Sequence, residues 1–428
     1  MSTETIAIIL LIGIFLGLLV LRVNVAVSMG LAAAVTYLYL DIPLTMVVQY
    51  TVGGLNNFTF MAVPFFILGG ELINQGGIAD KLLDLADELV GWFHGGAAMV
   101  NVLASMFFGG ISGSAPADIA ALGPIEIKLM EAQGFSREYS TGLTCATAVQ
   151  GMLIPPSHNL VIYAVAAGGI SVTSLFMAGL PAGIFLGLVL GVYSYIYARR
   201  RGYASGHKFS LTRAGKAFLS AFSGLLTIII IFCGVSFGIM TATESAAIAA
   251  LWAFICAFFI YKGTPLKNYY KIATASIKML STIMILLAIA NAFGWIVAYL
   301  KIPTMIANAI LSLTTNKYLI LILINAVILF LGCIMSISSI LLIVTPIITP
   351  ILTALDYSLV QFGVVMILNL GVGLLTPPVG AALYVGSAVS GLGVGKTAKA
   401  LLPFYCIMVL TLLALAFIPQ LTQVLGAW

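Results

Sequence analysis

The chain alternates between apolar stretches of helical length and short polar joints, and the stretches fall into two sets. In the first half, residues 4–21, 25–40, 58–76, 139–169 and 173–198 are each long and apolar enough to cross a bilayer as a helix. Ile78–Trp92 is of another kind. Leu82, Leu85, Ala86 and Leu89 share one helical face while Lys81, Asp84, Asp87 and Glu88 fall on others, the pattern of an amphipathic helix in the interface. Beyond it, GGISGSAPADIAALG (109–123) separates two apolar limbs, 97–110 and 119–132. At 1.5 Å per residue a limb of about fourteen residues reaches about 21 Å, short of the ~30 Å hydrocarbon core. The pattern predicts a re-entrant hairpin whose Ser-Gly-Ser-Ala-Pro tip sits at membrane depth.

The second half repeats the first. Ser112-Gly-Ser114 recurs as Ser336-Ile-Ser338, Pro155-Pro156 as Pro377-Pro378, and Pro181 as Pro403, at offsets of 224, 222 and 222. A second hairpin is expected from 318–333 and 340–355 around MSISS. Hairpins return to the side they leave, so each half has five crossings. An odd number inverts the second repeat relative to the first.

Charge supports that count. With the N-terminus outside, sixteen of the eighteen Lys and Arg lie on the inner side, and only Lys301 and Lys317 lie outside. Both termini then fall on the outer face. The net charge of +5 does not point to nucleic acid, because the basic residues occupy joints and form no patch with stacking aromatics. Composition adds that 62% of residues are hydrophobic and 7% charged, against roughly a quarter charged in soluble domains. The expected class is an all-α polytopic membrane protein built from two inverted-topology repeats, 1–205 and 217–428. The first segment has no basic n-region or small-residue cleavage site, so a retained helix is expected in place of a signal peptide. The five cysteines (145, 233, 256, 333 and 406) show no Cys-x-x-Cys spacing and read as small packing residues.

The candidate chemistry lies at the interruptions. A proline inside a helix removes its own N–H and blocks the carbonyl four residues back. Pro155 and Pro377 should therefore free the carbonyls of Gly151 and Gly373, and Pro156 and Pro378 those of Met152 and Leu374. Bare carbonyls at membrane depth must line a protein-enclosed site. With the serine hydroxyls of the tips they form neutral, hard oxygen donors suited to an alkali cation, and two symmetric Na+ sites are the inference. The half-helix N-termini suit a substrate carboxylate, with Ser114, Ser157, Asn159 and Ser338 as candidates. Asp118 is a further candidate that equally fits complementing a helix dipole. Glu244 closes a Thr241-x-x-Glu capping box and reads as structural, Glu71 reads as an interfacial anchor, and His158 fits a neutral hydrogen-bonding role. Ser112, Asp118 and His158 supply triad residue types without a nucleophile elbow, so an enzyme is not expected. A passive channel would also use oxygen-lined sites, but paired hairpins in inverted repeats suit alternating access.

FFGGISGSAPADIAALG, GMLIPPSHNLVIYAV and GLLTPPVGAALYVGSAV, in this order, resemble the large membrane subunit of tripartite ATP-independent periplasmic transporters, over essentially the whole chain. The resemblance implies a Na+-coupled importer of organic acids such as sialic acid or C4-dicarboxylates, working by an elevator motion in the bacterial inner membrane. It also implies a periplasmic substrate-binding protein and a small four-helix membrane subunit, here a separate chain because nothing precedes the first span. Carried over by residue, one Na+ site uses Ser112, Gly113, Gly151, Ile154 and Pro156, and the other Gly332, Ser336, Gly373, Thr376 and Pro378. The second hairpin lacks an acidic residue near Ser336. The mobile unit would comprise 96–170 and 317–391, the scaffold 1–76 and 217–300, and the arms 78–92 and 302–316. The alternative is a binding-protein-independent Na+/dicarboxylate symporter or ion antiporter of related fold.

Overall fold

A computed structural model describes residues 2–21, 23–56, 58–203, 206–306 and 316–426, and no strand occurs among them. Helices α1 (Thr3–Val20) and α2 (Val25–Tyr39) start from polar caps, the Ser2 hydroxyl accepting from the Thr5 N–H and the Asn24 side chain from the Ala26 N–H. Next come α3 (Leu44–Leu55) and α4 (Ala62–Gln75), joined through a 3₁₀ turn at Phe58–Met61. The hydrophobic pattern placed one crossing at 58–76 and left 41–57 as a joint, so α3 is an addition to it. Its counterpart in the second half is continuous: α14 (Tyr269–Tyr299) starts 225 positions after Leu44 and ends 224 after Gln75. The first-half version breaks just after Gly53-Gly54, two weak helix formers. Gly54 is needed there, because a Cβ on it would lie 2.7 Å from the Asn291 Cβ of α14.

The amphipathic segment forms α5 (Ile78–Val90), with Ile78, Ala79, Leu82, Leu85 and Ala86 buried. Leu89, expected on that face, is 38% exposed instead. The apolar face packs on α6 (Gly96–Ser112) and α12 (Leu211–Ser236). Its acidic face meets the joint between repeats, with Asp87 3.4 Å from His207 and Glu88 3.3 Å from Arg213. For the second arm, 302–306 is helical and 307–315 lies outside the described residues.

The first hairpin consists of α6 followed by α7 (Ala115–Ala121) and α8 (Gly123–Ala132). The broken crossing is α9 (Arg137–Gly151) and α10 (His158–Ala166), followed by α11 (Val172–Arg201). In the second half, α13 (Ala242–Ile255) runs on through a π turn at Cys256–Ile260 before α14. The second hairpin is α15 (Lys317–Gly332) and α16 (Ile337–Ala354), and the second broken crossing is α17 (Leu359–Leu375) and α18 (Ala381–Ser390). The chain ends with α19 (Val394–Ala400) and α20 (Leu402–Phe417), bent by 52° where α11 is continuous.

Six described helices are long and apolar enough to cross a membrane, or seven if the bent pair counts as one span. One of the six is α16, whose 18 residues reach about 27 Å at 1.5 Å each. By length and composition this limb is therefore not too short to cross, contrary to the expectation for a re-entrant hairpin. Its apolar run starts directly after the Ser336 cap and continues through Pro346 and Pro350.

Two groups of helices pack together. One gathers α1–α4 with α12–α14, and the other gathers α6–α11 with α15–α20, while α5 lies between α6 and α12. Within the second group the repeats interlock: α10 packs on α16, and α18 packs on α7, α8 and α9. Each half of the chain thus supplies part of the other's environment.

Candidate functional site at the two hairpin tips

In each repeat the first hairpin limb crosses the broken helix at a pair of glycines. A Cβ on Gly109 would lie 2.0 Å from the Gly151 Cα, and one on Gly373 would lie 2.7 Å from the Gly332 Cα. These crossings, 223 and 222 positions apart, let the backbones touch as small residues do between membrane helices. Three of the predicted ion-site glycines, Gly151, Gly332 and Gly373, therefore carry a packing role. Both breaks hold a cis Pro-Pro bond, Pro155-Pro156 and Pro377-Pro378.

The first tip turns at Gly113, whose φ is 59°. A side chain there is excluded twice, by the left-handed backbone and by His158 Nδ1, 3.2 Å from the Cβ position. Ser114 then caps α7 in an extended conformation. The Asn159 amide donates to the Gly113 carbonyl at 3.0 Å, fastening the broken helix to the tip. Ser157 is fully buried and its hydroxyl has no hydrogen-bond partner. Ile154 and Pro156 are buried beside it, and Ser112 is half-buried.

At the second tip, Ser336 caps α16, accepting from the Ser339 N–H. The Val379 N–H donates to the Cys333 carbonyl at 3.2 Å, the counterpart of the Asn159 fastening. The Gly373 carbonyl, predicted to be free, accepts from the Thr376 N–H at 2.9 Å, because the chain leaves the helix early enough for Thr376 to fold back. The Thr376 hydroxyl donates to the Val372 carbonyl. Two other carbonyls lie against Gly380: a Cβ there would be 2.8 Å from the Thr376 oxygen and 2.9 Å from that of Leu374. Pro377 and Pro378 are exposed, whereas Pro155 and Pro156 are buried.

The two tips wall one cavity of 360 Å³. Of the predicted residues it brings together Ser114, Asn159, Gly332, Ser336 and Ser338, with His158 beside them. Ser112, Gly113, Gly151, Ile154, Pro156, Ser157, Gly373, Thr376 and Pro378 do not line it. Asp118 does not line it either. It is 1% exposed and accepts from Ser105 at 3.4 Å, and its second carboxylate oxygen has no hydrogen-bond partner. Sequence reasoning missed the apolar wall, including Met152, Met279 and Val379.

It also missed a buried polar network behind the tip. Asn101 donates to Glu126 at 2.9 Å and Thr144 at 2.6 Å and accepts from Thr147 at 2.7 Å, and Ser105 joins Thr147 to Asp118. The signal was present in the repeat. Asn101 and Thr147 correspond, at offsets of 224 and 222, to Asn325 and Asn369, which hydrogen-bond to each other at 2.8 Å.

Comparison with known proteins agrees with this architecture. The family model "Tripartite ATP-independent periplasmic transporter, DctM component" matches residues 12–421. The sialic acid TRAP transporter large permease SiaM of Vibrio cholerae is 37% identical over 88% of both chains. The C4-dicarboxylate TRAP transporter large permease DctM of Pseudomonas aeruginosa is 38% identical over 87% of both. The uncharacterized protein YgiK of Salmonella typhimurium is 36% identical over 98% of this chain and 97% of its own length. Among solved structures, the Alcanivorax borkumensis YdaH transporter superposes with a TM-score of 0.65 over 88% of this chain and 89% of its own, at 14% identity, a likeness of fold. With a family match over nearly the whole length and relatives well above 30% identity, the chain belongs to the tripartite ATP-independent periplasmic transporter family, as a DctM component.

Proposed function

We propose that the chain is the membrane permease of a Na+-coupled importer that moves an organic acid handed over by a periplasmic binding protein. The observation that carries this reading is the single cavity walled by both hairpin tips and both breaks. Helices α7, α10, α16 and α18 all begin at residues on or next to its wall, so several N-termini and their N–H groups face one space. That arrangement favours a carboxylate where no Lys or Arg lines the cavity. Relatives are named for sialic acid, C4-dicarboxylate and isethionate transport, all organic anions.

Sodium fits the donors beside the cavity. One ion is assigned to Ser112, Gly113, Gly151, Ile154 and Pro156, next to the unpartnered Ser157 hydroxyl. The other is assigned to Gly332, Ser336, Gly373, Thr376 and Pro378, where the Leu374 and Thr376 carbonyls lie against Gly380. Neutral oxygens bind a monovalent ion weakly enough to release it. In this reading 96–170 and 317–391 move as an elevator against 1–76 and 217–300, with 78–92 and 302–316 as arms. The repeats are inverted, both termini are periplasmic, and a small four-helix subunit completes the membrane complex.

The test is uptake of labelled organic anions by liposomes holding both membrane subunits. Uptake should require an inward Na+ gradient and the binding protein together. Uptake that proceeds without either one contradicts the reading.

A further inference from the structure

Beside the cavity at the tips lies a second one, and the same three helices line both. From α10, His158 and Asn159 line the first, and Val165 and Ala166 line the second. From α16, Ile337 and Ser338 line the first, and Leu342 and Pro346 the second. From α14, Met279 lines the first, and Leu287, Ala290 and Gly294 the second. Each helix thus passes from one cavity to the other toward its C-terminus. The charge pattern makes that direction outward, since α14 starts beside Lys271 and ends before Lys301. The four α14 positions fall within about a quarter turn of one another around the helix, and Ala290 stands about 16 Å beyond Met279.

The repeat relates the two places. Helix α14 starts 225 positions after α3, and by that offset Met279 corresponds to Gly54, which lines the second cavity with Gly53 and Asn56. The second cavity has a volume of 340 Å³, and Asn56 and Asn291 are exposed on its wall. Asn291 gives one amide N–H to the Tyr50 carbonyl at 3.0 Å and keeps a second. Polar side chains inside a membrane face a cavity or a pathway, because hydrocarbon offers them no partner. Gly53 and Gly294, both within helices, have open space where a Cβ would lie. Nothing in this state requires them to be small, although glycine weakens a helix.

Resting on the transport reading above, we propose that the second cavity is the place the two tips occupy in the opposite end state, with Asn56 and Asn291 as its polar wall. Inverted repeats exchange environments between the two ends of the transport cycle. In this structure the tips stand beside Met279 of the second repeat. After the exchange they stand beside Gly54, its first-repeat counterpart. Gly53 and Gly294 leave the room that the arriving tip fills. The two asparagines then face the carried acid, and the break after α3 lies where the substrate arrives.

The experiment uses the chain with its small membrane subunit in liposomes supplied with the binding protein, its five native cysteines replaced by alanine. Ile334→Cys on the second tip is paired with Met279→Cys or with Gly294→Cys, and disulfide formation is read together with Na+-driven uptake. Both pairs should cross-link during uptake, and either cross-link should cut uptake about tenfold until a reductant restores it. Gly294→Cys alone, capped with a bulky maleimide, should lose uptake to a similar extent. The same label on Gly215→Cys, which also has open space, should leave uptake within about twofold. Failure of the Gly294 pair to form, in liposomes where uptake proceeds and the Met279 pair forms, overturns the proposal and leaves the transport reading standing. Undiminished uptake by the capped Gly294→Cys chain overturns it as well. If the native chain shows no Na+-driven uptake, the transport reading fails, and this proposal with it.

Discussion

At the scale of single residues, the glycine crossings make the sharpest demand. Gly151→Ala drives a methyl into the Gly109 backbone, where neither chain can yield as a side chain would. The expected loss is about 3 kcal/mol, at the upper end of overpacking costs, read as a lower melting temperature in detergent. Gly215→Ala on α12, with open space around it, should instead be neutral or stabilise by about 0.5–1 kcal/mol. Asp118 and Asn159 separate in a different measurement. Asn159→Ala removes a cavity donor and the Gly113 fastening, and should weaken ligand stabilisation about tenfold. Asp118→Asn lies behind the tip on Ser105, and should leave the ligand concentration dependence within about twofold while altering melting. Equal effects on ligand dependence would place Asp118 at the substrate after all. Asp118 stood out in the sequence as a charge in an apolar run. Sequence cannot say which way a helix faces, and the inward face of α7 points to the network of Ser105, Thr147 and Asn101.

At the scale of elements, most boundaries were legible because their signals are local. The Thr241-x-x-Glu244 box forms as read, with the Glu244 N–H donating to the Thr241 hydroxyl at 3.2 Å and the Thr241 N–H donating to Glu244 at 2.8 Å. Thr241→Ala should therefore cost about 1 kcal/mol of stability, while uptake by the folded protein stays unchanged. A loss of uptake without a loss of stability would assign this corner a transport role. The missed helix α3 shows the limit of local signals. Its Gly53-Gly54 pair reads as a joint, and the helix persists because it packs along α14, where the Asn291 amide donates to the Tyr50 carbonyl across 241 residues. Likewise, the carbonyl of Gly373 was expected to be free from proline geometry alone. The Thr376 N–H reaches it because the chain turns one residue before the prolines. Hydropathy could count the limbs of the second hairpin but misjudged α16, whose length becomes clear only with its cap in place.

For the whole molecule, the repeat in the sequence becomes an interlock in space, with α10 on α16 and α18 on α7. One cavity is walled by both tips, and no Asp or Glu is among its lining residues. Its walls come from both repeats, so a change at one tip should be felt at the other. The central claim is that Ser112 and Thr376 hold the coupling ions. Its most direct test is the initial rate of substrate uptake into liposomes carrying both membrane subunits and supplied with the binding protein, measured against the inward Na+ gradient. The native chain should show Na+-driven uptake with a steeper than linear dependence on Na+. Ser112→Ala combined with Thr376→Ala should abolish it while the protein still melts cooperatively. Uptake that ignores Na+, or that survives the double substitution, would contradict the account.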